Sequence, residues 1–185
     1  MGVAEHRHQA DMRRCLECAV VTVSDTRTEA NDHSGKLMKD MLVQVGHRIR
    51  FYTILPDDAQ RIRDVLADLA RRGDIQVILF NGGTGISHRD TTYEAVSALL
   101  EKRLDGFGEL FRMLSYQEIG PAAMLSRAVA GTCNGKLIFC TPGSTAAVRL
   151  AMEKLIVPEL PHLVWEVERQ RPASVAPCQP LGENI

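Results

Sequence analysis

The amino-acid sequence predicts an α/β protein in which helices cover both faces of a largely parallel sheet and a small β-hairpin is attached. Short apolar runs rich in β-branched residues alternate with segments whose apolar residues recur at helical spacing. Parallel strands need crossover connections, which helices usually supply. Two short apolar runs joined by Asn134-Gly135 complete the pattern, because Asn-Gly strongly favours a hairpin turn.

The first two strand–helix pairs are predicted between residues 18 and 73. Strands are expected over residues 18–23 and 48–54, which are rich in β-branched and aromatic side chains. Each following helix is predicted from its apolar spacing and ends at a glycine, a residue that favours helix C-termini. The apolar positions are Leu37, Met38, Met41, Leu42 and Val45 before Gly46, and Ile62, Val65, Leu66 and Leu69 before Gly73.

The remaining elements are predicted in the second half of the chain. Residues 75–80 are apolar without interruption, as expected for a strand covered on both faces. Residues 126–140 supply the hairpin, whose second strand runs into a polar loop. Three further helices are predicted from Ala95, Val96, Leu99 and Leu100, from Phe107, Leu110, Phe111 and Leu114 before Gly120, and from Val148, Met152 and Leu155 in one long final helix.

The length and charge of the chain limit the classes of protein it can belong to. One domain is expected over residues 15–169, and the polar segments 1–14 and 170–185 are predicted to be flexible tails. Net charge is −1 and no Lys/Arg run exceeds two residues, so nucleic acid is not expected as a partner. No stretch approaches the roughly 18 apolar residues that span a bilayer. A cytoplasmic protein without a membrane segment is therefore predicted.

The cysteines allow two interpretations. The sequence contains five, mostly inside apolar runs, which favours reduced thiols in the core over a disulfide framework. Cys15 and Cys18 form a CxxC pair with His6 and His8 upstream, and such a set could hold a metal. Because Cys18 opens a predicted strand, the buried interpretation is favoured.

Polar loops follow the carboxyl ends of the predicted strands. In parallel sheets the ligand crevice lies outside these ends. Chemistry is therefore expected where four loops meet: Ser24-Asp25, Pro56-Asp57-Asp58, residues 81–90 and residues 141–144.

The loop after the third strand has the composition of a phosphate-binding loop. Gly82, Gly83 and Gly85 allow backbone N–H groups to approach an anion, and Thr84 adds a hydroxyl donor. The loop that contains Pro142, Gly143 and Ser144 repeats this pattern. Neither GxxxxGK[ST] nor GxGxxG is present, so the glycines alone also fit a tight turn that binds nothing.

Two aspartates at the same edge suggest a metal ion. Carboxylates repel phosphate unless a cation lies between them, and carboxylate with phosphate oxygens forms the usual Mg²⁺ site. Asp57 and Asp90 are the candidates, with a Mg²⁺-nucleotide as ligand. Both precede predicted helices, so each fits an N-cap equally well, and Asp58 is better explained as a cap.

The order of motifs resembles a known family. "VVTVSDTR", "DHSG", "PDD", "NGGTG", "RDTT", "GFGELFRMLSYQEIG", "LSRAVAG" and "TPGST" occur in the order and spacing of the MoaB/Mog family of molybdenum cofactor biosynthesis proteins, with details closer to the MoaB branch. The resemblance covers about residues 15–167. It implies a three-layer α/β/α sandwich, the molybdopterin-binding fold, and a homotrimer or homohexamer. Other cofactor-biosynthesis proteins are implied as partners.

The resemblance also implies an activity. Active members adenylate molybdopterin with Mg-ATP, giving molybdopterin-AMP and pyrophosphate. Their two metal-binding aspartates match Asp57 and Asp90. Some MoaB-branch members lack one or both and have lost the activity, whereas this chain keeps both. The alternative is a molybdopterin-binding carrier or assembly protein without turnover.

Further contact residues are carried over from the family by motif. Three of these residues also have simpler explanations. Glu109 fits an acid in the first turn that favours the helix dipole, Arg112 fits a partner for Glu109, and Ser115 fits a solvated helix face. The sequence gives no position for Ser126-Arg127. The residues implied to contact molybdopterin or nucleotide are Ser24, Asp25, Gly82, Gly83, Thr84, Gly85, Glu109, Arg112, Ser115, Pro142, Gly143 and Ser144.

Overall fold

A computed structural model describes residues 15–169 of the chain. Both predicted tails, and with them His6, His8 and Cys178, lie outside the described residues. The elements in chain order are β1 (Glu17–Val23), α1 (His33–Gln44), β2 (Arg48–Leu55), α2 (Ala59–Arg71), β3 (Val77–Asn81), α3 (Thr92–Ser97), β4 (Lys102–Arg103), α4 (Asp105–Ile119), a 3₁₀ helix (Gly120–Leu125), β5 (Val129–Cys133), β6 (Lys136–Thr141), α5 (Thr145–Ala151), a π-helical turn (Met152–Ile156) and α6 (Val157–Glu168).

The six strands form one mixed sheet in the order β2-β1-β3-β6-β5-β4. The first four are mutually parallel, and the hairpin of β5 and β6 adds β5 and then β4 in antiparallel pairing. The chain passes from β1 outward to β2 and then returns to β3 on the other side of β1. Connections therefore leave β1 and β3 in opposite directions, and such a switch point opens a crevice at the strands' carboxyl ends.

Helices cover both faces of the sheet, which confirms the predicted three-layer architecture. Alternate residues of β1 point to opposite faces: Cys18 and Val20 pack with α1, α4, α5 and α6, whereas Ala19 and Val21 pack with α2 and α3. Every residue of β3 is buried, as predicted for a central strand. The hairpin turn is confirmed as well, because Asn134 and Gly135 both have positive φ, 47° and 67°.

The structure differs from the local predictions at three places. The helix predicted through Leu100 ends at Ser97, because the Glu101 amide donates to the Thr132 carbonyl and draws the chain toward the sheet edge. That edge holds the two-residue strand β4, which the sequence did not indicate. The single long final helix is interrupted by the π-helical turn just before Pro158, and Pro158 and Pro161 each lack a backbone donor.

The buried carboxylate of Asp32 joins four parts of the fold. It caps α1 by accepting from the Gly35 amide at 3.0 Å, and it accepts from the hydroxyls of Thr22 on β1 at 2.5 Å and Tyr52 on β2 at 2.8 Å. Arg27, in the loop after β1, lies 3.3 Å away. Burial alone would raise the pKa of Asp32, but these hydrogen bonds and the charge of Arg27 outweigh it and hold the pKa below its ordinary value.

Replacing Asp32 by Asn is therefore expected to lower the free energy of unfolding by about 2–4 kcal/mol, since charge-assisted hydrogen bonds are lost at a buried site. The folded-state pKa lies below the unfolded value of about 3.9, so the contribution is complete above that pH and is lost as pH falls through the folded pKa. Urea unfolding at pH 7 and at pH 3 measures both effects.

Asp40→Asn is the matched control, because Asp40 is exposed and, within residues 15–169, its carboxylate pairs only with Lys36 on the same helix. It should change stability by less than about 1 kcal/mol. Equal losses for the two variants at pH 7 would contradict the role assigned to Asp32.

Candidate functional site

A crevice of about 370 Å³ opens at the carboxyl ends of β1, β3 and β6. Its position is the one predicted from the strand pattern, and it lies at the switch point between β1 and β3. Polar groups and glycines make up most of its wall. The lining residues are Val23, Ser24, Thr26, Arg27, Gly82, Gly83, Thr84, Gly85, Asp90, Leu125, Pro142 and Gly143.

The loop Gly82–Gly85 requires glycine at its first two positions. Gly82 has φ of 98°, and a Cβ there would overlap the Val23 carbonyl oxygen. Gly83 has φ of 62°, and a Cβ there would overlap the hydroxyl of Thr92 and the carboxylate of Asp57. Left-handed φ and close approach together restrict both positions to glycine.

Three carbonyls of this loop accept hydrogen bonds from elsewhere in the fold. Gly83 O accepts from the Thr92 amide at 2.9 Å, and Thr84 O and Gly85 O accept from the guanidinium of Arg127 at 2.8 and 2.6 Å. The amides of Gly83, Thr84 and Gly85 donate to no other described residue. Consecutive backbone N–H groups without an acceptor are the arrangement that anion-binding loops use.

Asp57 and Asp90 both lie against this loop, and of the two Asp90 lines the crevice whereas Asp57 does not. Oδ1 of Asp57 accepts from the amide and hydroxyl of Thr91 at 2.9 and 2.8 Å, while its Oδ2 lies next to Gly83. Oδ2 of Asp90 lies next to Gly85 and accepts from the Ser87 amide at 2.9 Å. Neither caps the helix it precedes.

The capping alternatives are thereby resolved. Asp57 binds the residue at the start of α3, a helix distant in sequence, rather than the start of α2. Asp58 is the N-cap of α2, as predicted, and accepts from the Arg61 amide at 2.8 Å. Asp90 closes a turn inside the loop. Oδ2 of Asp57 and Oδ1 of Asp90 take part in none of these hydrogen bonds.

The donor set fits a divalent cation that is shared with phosphate. The hydroxyl of Thr92 is buried beside Asp57 and Gly83 and has no hydrogen-bond partner among the described residues. Carboxylate oxygens are the ligands that Mg²⁺ prefers. Residues 15–169 contain no cluster of three or more metal-binding side chains, so phosphate oxygens or water would have to supply further ligands.

Ser24 and Asp25 shape the loop that follows β1. Ser24 lines the crevice, and its hydroxyl accepts from the amides of Thr26 and Arg27 at 3.3 and 3.2 Å. Asp25 points to the neighbouring surface and accepts from the Asp57 amide at 3.1 Å. Of this predicted pair, Ser24 lines the crevice, whereas Asp25 does not and instead binds the backbone of Asp57.

The second Gly-rich loop closes the crevice from the side of β6. Gly143 packs closely on Gly82: a Cβ added to Gly143 would lie 2.9 Å from the Cα of Gly82. The Gly143 carbonyl accepts from Arg27 at 2.7 Å and from the Ser34 hydroxyl at 2.8 Å. Pro142 lines the crevice, whereas Ser144 is exposed and caps α5 through the Ala147 amide at 3.2 Å.

Sequence reasoning missed Arg27, the one basic side chain among the described residues that line the crevice. Its guanidinium is held by Asp32 and the Gly143 carbonyl, and it lies 3.5 Å from the side-chain oxygen of Asn81. These partners are up to 116 positions away in sequence. Only its place just after a strand, in a loop at the crevice edge, could have indicated it.

Glu109, Arg112 and Ser115 lie apart from the crevice. Glu109 and Arg112 line a separate pocket of about 160 Å³ between α4 and β5, and no ion pair joins these two among residues 15–169. Ser115 is 4% exposed, so its interpretation as part of a solvated face was wrong. Their predicted contacts with pterin or phosphate stay predictions.

The cysteines of the described region fit the reduced interpretation. Cys15, Cys18, Cys133 and Cys140 are all free thiols, with Cys18 and Cys140 buried and Cys133 half-buried. Burial, with smaller contributions from Cys15 and Glu17, raises the pKa of Cys18 to about 12, which keeps this thiol protonated at neutral pH. None of the helices in residues 15–169 is long and apolar enough to cross a bilayer.

The fold and the crevice together define an α/β protein with a glycine-rich loop at the carboxyl ends of its parallel strands and two carboxylates beside that loop. Residues 19–162 match the family profile described as "Probable molybdopterin binding domain". The chain belongs to this family, the MoaB/Mog family of molybdenum cofactor biosynthesis proteins, as the motifs predicted.

Individual relatives are similar over nearly their full lengths. Molybdenum cofactor biosynthesis protein B of Bacillus cereus is 52% identical over 171 residues, which are 92% of this chain and 100% of that protein. A crystal structure of a Molybdenum cofactor biosynthesis protein B has a TM-score of 0.82 at 53% identity, over 84% of this chain and 97% of the other. The tungsten cofactor synthesizing protein MoaB from Pyrococcus furiosus has a TM-score of 0.75 at 35% identity, over 84% and 98%.

Gly83→Ala tests the close packing of the loop. The added methyl group would meet Thr92 and Asp57 at a left-handed φ, so the free energy of unfolding should fall by about 1–3 kcal/mol. Thermal and urea unfolding measure the loss. Gly106→Ala in α4 is the control, because a Cβ there meets nothing within 4 Å, and it should stabilise by up to about 1 kcal/mol. A neutral Gly83→Ala would contradict the described loop.

Proposed function

We propose that this protein adenylates molybdopterin with Mg-ATP in the crevice at the carboxyl ends of β1, β3 and β6. The observation that carries the proposal is the loop Gly82–Gly85, which lines the crevice. Its amides at Gly83, Thr84 and Gly85 donate to no other described residue, and the carboxylates of Asp57 and Asp90 lie next to Gly83 and Gly85. Anion donors and cation ligands on one short loop suit a ligand with several phosphates and a divalent ion.

The proposed reaction is a nucleotidyl transfer. An oxygen of the terminal phosphate of molybdopterin forms a bond to the α-phosphorus of ATP, and the bond from that phosphorus to the bridging β-phosphate oxygen breaks. The products are molybdopterin-AMP and pyrophosphate, which carries away the electron pair of the broken bond. Such a transfer needs no protein nucleophile, because positioning and stabilisation of phosphate charge supply the catalysis.

The crevice supplies both of these contributions. The unpaired amides of Gly83–Gly85 would hold phosphate oxygens in fixed positions, and Thr84 is held in place because it is 96% buried. Asp57 and Asp90 are the residues that would hold Mg²⁺. When bound, Mg²⁺ supplies positive charge to neutralise phosphate oxygens.

Arg27 adds a fixed positive charge to this wall. Its side chain is 26% exposed, and Asp32 and the Gly143 carbonyl hold it at the rim of the crevice. A guanidinium with donors directed to an anion binds phosphate more strongly than a neutral group does. We therefore include Arg27 among the proposed phosphate-binding residues.

A homo-oligomer, trimer or hexamer, remains part of the proposal, as does a cytoplasmic location. Self-association is supported by apolar side chains exposed on and after α4. These are Leu110, Met113, Tyr116, Ile119, Met124 and Leu125. Exposed apolar patches of this kind mark interaction sites on soluble proteins.

The assay that tests the proposed reaction is incubation of the purified protein with molybdopterin and Mg-ATP, followed by chromatography for molybdopterin-AMP. Asp57→Asn and Asp90→Asn should each lower the rate by about 10²–10³-fold, since each removes charge that would bind the cation next to the reacting phosphates. Asp58→Asn is the control, because Asn replaces Asp well as an N-cap and the rate should stay within twofold.

Two results would overturn the proposed reaction. Tight molybdopterin binding without adenylate would support the carrier or assembly role instead. A wild-type protein that binds no molybdopterin would contradict the pterin ligand altogether.

Arg27→Gln is expected to weaken the binding of inorganic pyrophosphate by about tenfold, because a charge-assisted contact of about 1.5 kcal/mol is lost. Titration calorimetry with the Mg²⁺ salt measures the dissociation constant. Arg71→Gln removes an exposed charge at the end of α2 and should leave that constant unchanged. Equal affinity for wild type and Arg27→Gln would exclude Arg27 from the site.

A further inference from the structure

Arg127 occupies the space behind the anion-binding loop. It lies between the 3₁₀ helix and β5, and its side chain is 26% exposed. Nε donates to the Thr84 carbonyl at 2.8 Å and Nη2 to the Gly85 carbonyl at 2.6 Å. One planar guanidinium therefore binds two consecutive carbonyls of the loop, and Arg127 is not among the residues that line the crevice.

The guanidinium is itself held in a fixed orientation. Nη1 pairs with Glu94 of α3, and Nη2 donates to the other oxygen of that carboxylate at 3.2 Å. The ring of Tyr93 stacks on the guanidinium carbon at 4.7 Å, and the Tyr93 hydroxyl accepts from Arg103 at 3.1 Å. The hydrogen bond from Arg127, and then its charge, lower the pKa of Glu94, so the pair stays ionised at neutral pH.

The orientation of the loop depends on these contacts because each peptide unit is planar. When a carbonyl points toward Arg127, the N–H of the same peptide points to the opposite side. The carbonyls of Thr84 and Gly85 belong to the same peptide units as the amides of Gly85 and Ile86. With Gly83 O bound to the Thr92 amide, three successive peptides are oriented by their carbonyls.

The loop has few other restraints. Glycine at positions 83 and 85 leaves these peptides free to rotate, and nothing else among the described residues binds the carbonyls of Thr84 and Gly85. A rotated peptide would direct a carbonyl oxygen into the crevice, where it would repel an anion. Arg127 thus sets which end of each dipole faces the ligand.

We propose that Arg127 is a positioning residue of the crevice: by binding the carbonyls of Thr84 and Gly85 it fixes the two peptide units that carry the amides of Gly85 and Ile86, so that the Gly85 amide is held toward bound phosphate, and it does so without touching the ligand. The inference has two parts. That the oriented amide binds phosphate rests on the proposed function, whereas the ordering of the loop by Arg127 does not. The two parts are measured separately.

The test compares Arg127→Met with wild type in two measurements. Without ligand, ¹⁵N relaxation should give order parameters near 0.85 for Gly83–Ile86 in wild type and below about 0.6 in the variant. With Mg²⁺ and inorganic pyrophosphate, the variant should bind at least tenfold more weakly. Arg127→Lys should fall between the two, because an ammonium reaches one carbonyl but not both.

Arg72→Met is the matched control. Arg72 also pairs with a carboxylate through two hydrogen bonds, to Asp74, and lies over an aromatic ring, Phe51, but it contacts no carbonyl of the crevice loop. It should leave loop order and pyrophosphate affinity unchanged. Should Arg127→Met fail to fold, Glu94→Gln weakens the same contact from the other side and should show smaller changes of the same sign.

The outcomes separate the inference from the proposed function. An ordered loop in a folded Arg127→Met protein, or pyrophosphate affinity within twofold of wild type, overturns the positioning role. A loop that loses order in the variant, together with a wild-type protein that binds no pyrophosphate, supports the ordering by Arg127 and contradicts the phosphate ligand of the proposed function.

Discussion

The arrangement of the crevice depends on one buried carboxylate, that of Asp32. It gathers donors from β1, β2, the start of α1 and the loop after β1. The last of these donors, Arg27, reaches on to the Gly143 carbonyl. A continuous set of charge-assisted contacts therefore runs from the centre of the sheet to the far wall of the crevice, and the low dielectric around Asp32 strengthens each of them.

The same physical rule governs both Gly-rich loops. Donors from elsewhere in the fold bind their carbonyls: Arg127 for Thr84 and Gly85, and Arg27 with Ser34 for Gly143. Because the peptide is planar, fixing one dipole end fixes the other. The loops thus gain order without side chains that would fill the space a ligand needs. Glycine allows the backbone to approach a ligand closely, and the arginine contacts fix the peptide orientation that glycine leaves free.

Local patterns in the sequence predicted the layers of the fold and the place of the crevice. A run such as residues 75–80 specifies a covered strand, and the rule for parallel sheets then puts Gly82–Gly85 and Asp57 at one edge. The contacts that Arg27, Arg127 and Asp57 make were not predictable in this way. Each depends on a partner 34 to 116 positions away, and no local period records such a contact. The π-helical turn was not predicted for a related reason: the spacing of apolar residues changes little when one turn contains an extra residue.

The strand β4 has a consequence for how copies of the chain can meet. It forms one edge of the sheet, yet it contains only two residues, Lys102 and Arg103, both basic and exposed. At the opposite edge, β2 begins with exposed Arg48 and Arg50. The shortness of β4 and the basic side chains on both edges discourage a foreign strand from continuing the hydrogen-bonded ladder. The self-association proposed above is therefore expected to use helix surfaces rather than backbone pairing at the sheet edges.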